Sequence, residues 1–220
     1  MTSRVMRMAP GVHKTARDSR ATTLMRARAD AAKCRACDLW KHATQTVFGE
    51  GKSARLMFVG EQPGNDEDLQ GRPFVGPAGG ILDKALLEAG IDRSQTYITN
   101  VVKHFKFEER GKRRIHKKPN SVEVSACLLW LETEIALVKP EVVVALGATA
   151  AQALLGSTFR VTQHRGEFLR SKLFTSRVMA TVHPSSLLRA PDPETRRREY
   201  RRFVQDLSRL SEVSRATEER

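Results

Sequence analysis

Three cysteines in 220 residues are too few and too scattered to make a disulfide framework, so a reducing compartment, the cytoplasm, is expected rather than secretion. Long apolar runs are also missing. The longest, residues 142–155, is broken at Gly147 and falls short of a membrane span, so a soluble chain with no membrane partner is expected. No internal repeat is visible. Acids are scarce: 25 Asp plus Glu face 38 Lys plus Arg, a formal charge of +13 with a pI near 10.2. That imbalance favours a polyanionic partner, nucleic acid before a membrane surface.

What is present suffices for one domain, because 40% hydrophobic residues in a chain of this length can bury a sizeable core. The expected division is a basic, partly disordered N-terminal segment over residues 1–33, a globular domain over 34–211 and a short tail over 212–220, working as a monomer. The first twenty residues are Arg-rich with Asp18 as their single acid, but Pro10-Gly11 would break the amphipathic helix a transit peptide needs. Residues 19–32 have the composition of a helix leading into the C-x-x-C of Cys34 and Cys37.

Within the domain, short β-branched or apolar runs alternate with segments of helical period. Strands are expected over 54–60, 96–102, 141–147 and 177–182, and helices over 77–89, 121–138, 148–155 and 194–210. Asn120-Ser121-Val122-Glu123 reads as a capping box at the start of the second of these helices. Residues 159–173 read as a hairpin around Arg165-Gly166. The alternation predicts an α/β fold, a three-layer α/β/α sandwich with a central, mostly parallel four-stranded sheet.

In such a sheet ligands bind beyond the carboxyl ends of the strands, which draws attention to the residues found there. The first strand breaks into Gly60-Glu61-Gln62-Pro63-Gly64, the second delivers Asn100 and then His104, and the fourth ends in His183-Pro184-Ser185. Each of these alone has an ordinary reading as a cap or turn former. Together they put a carboxylate, amides and an imidazole on one rim, a combination that favours a ligand site. Phe74, between Pro73 and Val75-Gly76-Pro77, is either core or a stacking platform.

Residues 103–118 carry eight of the Lys and Arg residues against two Glu, a local excess of +6, in what reads as a basic loop. A solvated basic face accounts for Lys112, Arg113 and Arg114 but not for His116 beside them. Surrounding cations should disfavour a further positive charge on that ring, leaving a neutral imidazole with a free lone pair beside phosphate, which suits a nucleophile acting on DNA. Cys34 and Cys37 have metal-ligand spacing, and Cys127, otherwise a small buried side chain, and His104 complete a Cys3His set that zinc or an iron–sulfur cluster could use.

Four pieces in order, Gly60-Glu61-Gln62-Pro63-Gly64, residues 71–79 (Gly-Arg-Pro-Phe-Val-Gly-Pro-Ala-Gly), Lys112 through His116, and His183-Pro184-Ser185, resemble the uracil-DNA glycosylase superfamily, specifically its UdgX type, which is similar to the iron–sulfur family 4 enzymes. The resemblance covers roughly residues 34–210. It implies that uracil-containing DNA, single-stranded in preference, is the substrate, that Phe74 stacks on the extruded base, and that Asn100 reads its pairing edge. It further implies that His183 bonds the departing base, that Gly60 and Gln62 belong to the base pocket, and that Glu61 supports the chemistry. Lys112, Arg113, Arg114, Ser185 and Arg189 become DNA contacts, and Cys34, Cys37, His104 and Cys127 ligands of a [4Fe-4S] cluster, with His104 where family 4 has a cysteine. In the UdgX type the histidine matching His116 attacks the sugar and leaves the protein attached to the abasic site. The rival expectations are an ordinary hydrolytic glycosylase with turnover and a non-enzymatic iron–sulfur DNA-binding module.

Overall fold

A computed structural model describes residues 23–51, 54–171, 174–211 and 213; the expected basic tail over residues 1–20 lies outside them. Helix α1 (Leu24–Ala31) is followed by a 3-10 turn at Asp38–Lys41, strand β1 (Leu56–Gly60), and helices α2 (Asn65–Gln70) and α3 (Pro77–Glu88). Strand β2 (Thr96–Asn100) leads into a hairpin of β3 (Phe107–Arg110) and β4 (Arg113–His116), then helix α4 (Ser121–Val138) and strand β5 (Val142–Leu146). Helices α5 (Ala148–Leu155) and α6 (Val161–His164), strands β6 (Phe168–Arg170) and β7 (Arg177–Thr181), and helices α7 (Pro184–Leu188) and α8 (Pro193–Ser208) complete the order.

The sheet runs β2-β1-β5-β7-β6, the first four strands parallel and β6 antiparallel to β7. Strands β1, β2 and β5 are buried at every position, because helices cover both faces of a parallel sheet. Side chains alternate accordingly. Phe58, Ile98, Val144 and Met179 pack with α3, α7 and α8, while Met57, Val59, Val143 and Val178 pack with α4 and α5. The fold is thus the α/β layered sandwich anticipated, with a fifth strand added at one edge.

The differences have physical causes. The hairpin expected over 159–173 does not form among the described residues: α6 intervenes, and β6 takes its partner from β7, with Phe168 opposite Met179. The basic loop is itself a hairpin, its β3 and β4 in register from Phe107–His116 to Arg110–Arg113, and Gly111 with φ 59° supplies the left-handed turn residue. The folded body starts before Cys34, because Ala27 and Ala31 of α1 are buried with Phe48. At α4 the capping box forms as expected, Glu123 N donating to Asn120 Oδ1 at 2.9 Å and Asn120 N to Glu123 Oε2 at 2.7 Å. No helix among the described residues is long and apolar enough to cross a membrane.

Candidate active site

Beyond the carboxyl ends of the parallel strands lies a cleft of about 930 Å³ whose lining includes Glu61, Gln62, Phe74, Asn100, His116 and His183. Its floor is set by close backbone approach. Gly60 and Asn100 are register partners at the ends of β1 and β2, and a Cβ on Gly60 would sit 2.3 Å from Asn100 Oδ1 and 2.7 Å from Phe74 Cζ. Only glycine leaves room for both. The Phe74 backbone is strained, with φ 54° in a non-glycine residue, and is held by Gly79, where a Cβ would meet the Phe74 carbonyl oxygen at 2.0 Å. Glu67 braces the same loop, accepting from Gly64 N at 3.0 Å and Gly76 N at 2.8 Å. The result is a buried aromatic ring and, beside it, an Asn100 Oδ1 that is buried without a hydrogen-bond partner among the described residues. A buried acceptor left open in a cleft points to a ligand donor.

His183 stands beside Phe74, its ring centroid 5.8 Å from that of Phe74. It also caps α7: Ser185 N donates to His183 Nδ1 at 3.1 Å, with Ser185 Oγ 2.8 Å from the same nitrogen. A backbone N–H can only donate, so Nδ1 bears the lone pair and the neutral ring carries its proton on Nε2. Burial, assisted by Arg189 and His116, pushes the His183 pKa down to about 4, so at neutral pH it offers an uncharged N–H donor. Ser185 is therefore committed to placing His183, whereas Arg189, at the C-terminal end of α7, is exposed at the cleft mouth.

Across the cleft stand Glu61 and His116. His116 Nε2 lies 3.4 Å from Glu61 Oε1, while Glu61 Oε2 accepts a hydrogen bond from Thr149 Oγ1 at the start of α5. His116 is half exposed and ends β4, opposite Phe107. Its position depends on two residues that the sequence had suggested for other tasks. Gln62 does not turn its amide to the cleft: Nε2 donates to the carbonyls of Lys106 and Lys117, each at 3.1 Å, and Oε1 accepts from Lys106 N at 3.2 Å. It clamps the two ends of the hairpin, so both of its amide N–H donors are spent there and one oxygen lone pair remains.

Arg114, expected among outward-facing cations, points inward. It donates to Asp68 Oδ2 at 2.6 Å and Asn65 Oδ1 at 2.9 Å, and its guanidinium lies 4.9 Å from the Phe107 ring centroid. Asp68 is fully buried, so this pair ties the hairpin to α2 rather than meeting solvent. The remaining charge thins out in the same way. Lys103 pairs with Glu134, Lys106 with Glu123, and both Arg110 and Lys117 with Glu108. Of the eight cations in residues 103–118, the exposed Lys112, Arg113 and Lys118 are left without an ion pair among the described residues. Sequence reasoning missed Thr149, Glu67 and Asp68, whose partners lie 88, 9 and 46 residues away.

On the far side of β2, Cys34, Cys37, His104 and Cys127 line one small cavity together with Ala31, Ala36 and Trp130. Cys127 Sγ accepts from Lys103 N at 3.2 Å, and burial pushes its thiol up to about 12. Burial also raises Cys37 and lowers His104, whose Nε2 is 2.9 Å from Thr46 Oγ1. Among the described residues no three His, Cys, Asp or Glu side chains converge closely enough to hold a single metal ion. The four groups share a cavity wall without meeting at one point.

A cleft beyond the carboxyl ends of a parallel α/β sheet, with an open amide acceptor, an aromatic platform and a neutral imidazole donor, defines a domain built to hold a small polar ring. Residues 48–208 match the family model of the uracil DNA glycosylase superfamily, and the chain belongs to that superfamily. It is 42% identical over 167 residues to the Type-4 uracil-DNA glycosylase of Thermotoga maritima, covering 75% of this chain and 83% of that protein. Identity to the Type-4 uracil-DNA glycosylases of Pyrobaculum aerophilum and Sulfurisphaera tokodaii is 37% and 35%, each over 72% of this chain and over 81% and 73% of the relative.

Proposed function

We propose that this protein is a uracil-DNA glycosylase of the UdgX type, which removes uracil from DNA, single-stranded DNA in preference, and ends attached through His116 to C1′ of the resulting abasic site. The observation that carries the reading is the pairing of Glu61 Oε1 with His116 Nε2 at 3.4 Å, in the cleft that also holds Phe74, Asn100 and His183. A base inside a duplex cannot be reached, so uracil enters extruded or from a single strand and lies against Phe74. Asn100 Oδ1 accepts from the base N3–H. His183 Nε2–H donates to a base oxygen as negative charge grows there, and a donor already aimed costs no reorganisation at that moment.

Both Glu61 oxygens are engaged, one by Thr149 and one by His116, which supports a reading in which the imidazole, rather than a water held by Glu61, attacks the sugar. A ring-nitrogen lone pair of His116 forms the bond to C1′ as the bond from C1′ to N1 of uracil breaks, and the electron pair leaves on the base. The imidazolium then sheds its remaining N–H proton to Glu61 or water, and the uracil anion takes a proton from solvent. The alkylated imidazole is a poor leaving group, and the reaction stops after one turnover.

We further propose that Cys34, Cys37, His104 and Cys127, which line the thiol cavity, would hold a [4Fe-4S] cluster. Three sulfurs and one imidazole spread around a wall suit a cage of several atoms better than one ion, and a backbone N–H to Cys127 Sγ is the kind of contact that tunes cluster thiolates. When bound, the cluster supplies a cross-link between the Cys34–Cys37 segment and the core, away from the reacting atoms. Iron and acid-labile sulfide in purified protein test this, and stoichiometric zinc with neither would reject it.

The enzymatic reading is tested by incubating the full chain with a single-stranded uracil-containing oligonucleotide and running a denaturing gel. Wild type should give a denaturant-resistant complex in up to one-to-one amount, and His116→Ala none. An undiminished complex in the alanine variant would remove His116 from this role. Repeated uracil release with no adduct would make the protein an ordinary hydrolytic glycosylase, and salt-dependent binding without base release would make it a DNA-binding module.

A further inference from the structure

Among the described residues one ion pair is completely buried. Lys103 and Glu134 side chains are 1% and 0% exposed, with Nζ and Oε2 2.5 Å apart. Taking two charges out of water is costly, and replacing such a pair by apolar side chains of similar volume is often neutral or stabilising, so stability alone is a weak account of it. Its surroundings suggest another. Glu134 is fixed from three sides, accepting from Gly49 N at 2.7 Å, Tyr97 Oη at 3.1 Å and Thr99 Oγ1 at 2.9 Å. A Cβ on Gly49 would lie 2.4 Å from Glu134 Oε1, so the carboxylate is seated directly on the backbone. Lys103 is fixed at its main chain, its N–H donating to Cys127 Sγ at 3.2 Å and its carbonyl accepting from Val47 N at 2.8 Å. The ammonium so held makes two further bonds, to Thr99 Oγ1 at 2.7 Å and to the carbonyl oxygen of Asn100 at 2.6 Å.

Asn100 is where the sheet ends. Past it, Val101 N and Val102 N bond back to Gly60 O and Glu61 O, and the chain turns away from the strand direction. The Asn100 carbonyl is held at this departure by a charged donor, while its side chain enters the cleft with Oδ1 unpaired. We infer that Lys103, locked by Glu134, is a positioning residue for Asn100: it clamps the peptide from which the base-reading amide projects, and so keeps that amide aimed at the pairing edge of the base. The inference deepens the glycosylase reading and rests on it for the identity of the base. Neither Lys103 nor Glu134 lines the cleft, so neither touches substrate.

The test uses the full chain with Lys103→Met and Glu134→Gln combined, which removes both charges at nearly constant volume and leaves no lone buried ion. Melting temperature and iron content establish that the variant is folded. Affinity for a uracil-containing oligonucleotide should stay within about twofold, because phosphate contacts dominate it. The single-turnover rate of uracil release at saturating DNA should fall by about tenfold or more, since small misplacements of an aligned group carry penalties of that order. Binding of free uracil should weaken in parallel. The decisive readout is the same pair of changes in an Asn100→Ala background: a positioning role acts through Asn100 and should then cost nothing further, whereas a structural role would add its full loss.

Should the double variant not fold, Thr99→Val, which strips one contact from each partner while leaving the ion pair, should show a smaller loss with the same dependence on Asn100. A folded variant with wild-type release rate and wild-type uracil affinity would overturn the inference and leave the glycosylase reading intact. Wild-type protein that releases no uracil would instead sink the glycosylase reading, with free-uracil binding still reporting on Asn100. Wild-type protein that neither releases nor binds uracil would overturn both.

Discussion

The two walls of the cleft are built by different means. One wall, made by Gly60, Phe74, Asn100 and His183, is set by backbone proximity: register pairing of Gly60 with Asn100, a glycine at 79 against the Phe74 carbonyl, and a helix cap that fixes the His183 tautomer. The other wall, the β3–β4 hairpin with His116, is attached through side chains, chiefly Gln62 to its two ends and Arg114 to Asp68 and Asn65. The first wall lies on the central sheet, whose strands β1 and β2 are buried at every position, while the second rests on two four-residue strands whose outer residues are exposed. On the function proposed here, recognition of the base belongs to packing and capture of the sugar to tethers. The two tasks should then be separable by mutation.

The severest break is on the packed wall. Gly60→Val would drive methyl groups into Asn100 Oδ1 and the Phe74 ring, which lie 2.3 Å and 2.7 Å from where even a Cβ would sit. Uracil release measured under single turnover should drop by about a hundredfold or more. Because the hairpin does not depend on Gly60, affinity for DNA lacking uracil should remain near wild type, and a large loss there would show that the walls are not independent.

A tether is the next target. Arg114→Met removes the guanidinium that lies over Phe105 and Phe107 and leaves the buried Asp68 carboxylate without its cation, a change that breaks a buried pair and costs about 3–5 kcal/mol. Adduct formation should slow by about tenfold while binding of free uracil is unchanged. Arg113→Gln is the contrasting control: its exposed side chain has no ion partner among the described residues, so its loss should reduce the salt dependence of single-strand binding by roughly 0.7 in the log-log slope, an effect Arg114→Met should lack. Equal slopes for the two variants would place both arginines on phosphate and undo the distinction.

The smallest expected effect concerns pH. His183 is neutral in the folded protein with a pKa near 4, below its ordinary value of 6.5, because burial disfavours the cation. A depressed histidine favours the folded state above the unfolded pKa, where both states are neutral. That advantage is lost as pH falls from about 6.5 towards 4, since the unfolded chain takes up a proton first, and the loss levels off below 4. The melting temperature of wild type should decline over this window, and His183→Asn, which can still cap α7, should decline less. Parallel curves would assign the acid sensitivity to other groups.

Much of this arrangement is legible in the chain itself. Four β-branched or apolar runs separated by helical periods dictate a parallel sheet, and the rule that such sheets bind ligands at their carboxyl rim is enough to nominate Glu61, Asn100 and His183. Local chemistry also speaks for itself: Asn120 with Glu123 announces a helix start, and the capping box forms there. What one-dimensional reading assigned differently or passed over depends on partners far along the chain. Gln62 looks like a base reader until Lys106 and Lys117 take up its amide, and Arg114 looks like a phosphate contact until Asp68 does the same. Lys103 counts as one more surface cation until Glu134, 31 residues on, meets it inside the core. The physical reason is common to all three. A strand or a cap is decided by neighbours within a few residues, whereas the orientation of a long polar side chain is decided by whichever buried charge or carbonyl the fold brings within hydrogen-bond reach, and only tertiary packing chooses that partner.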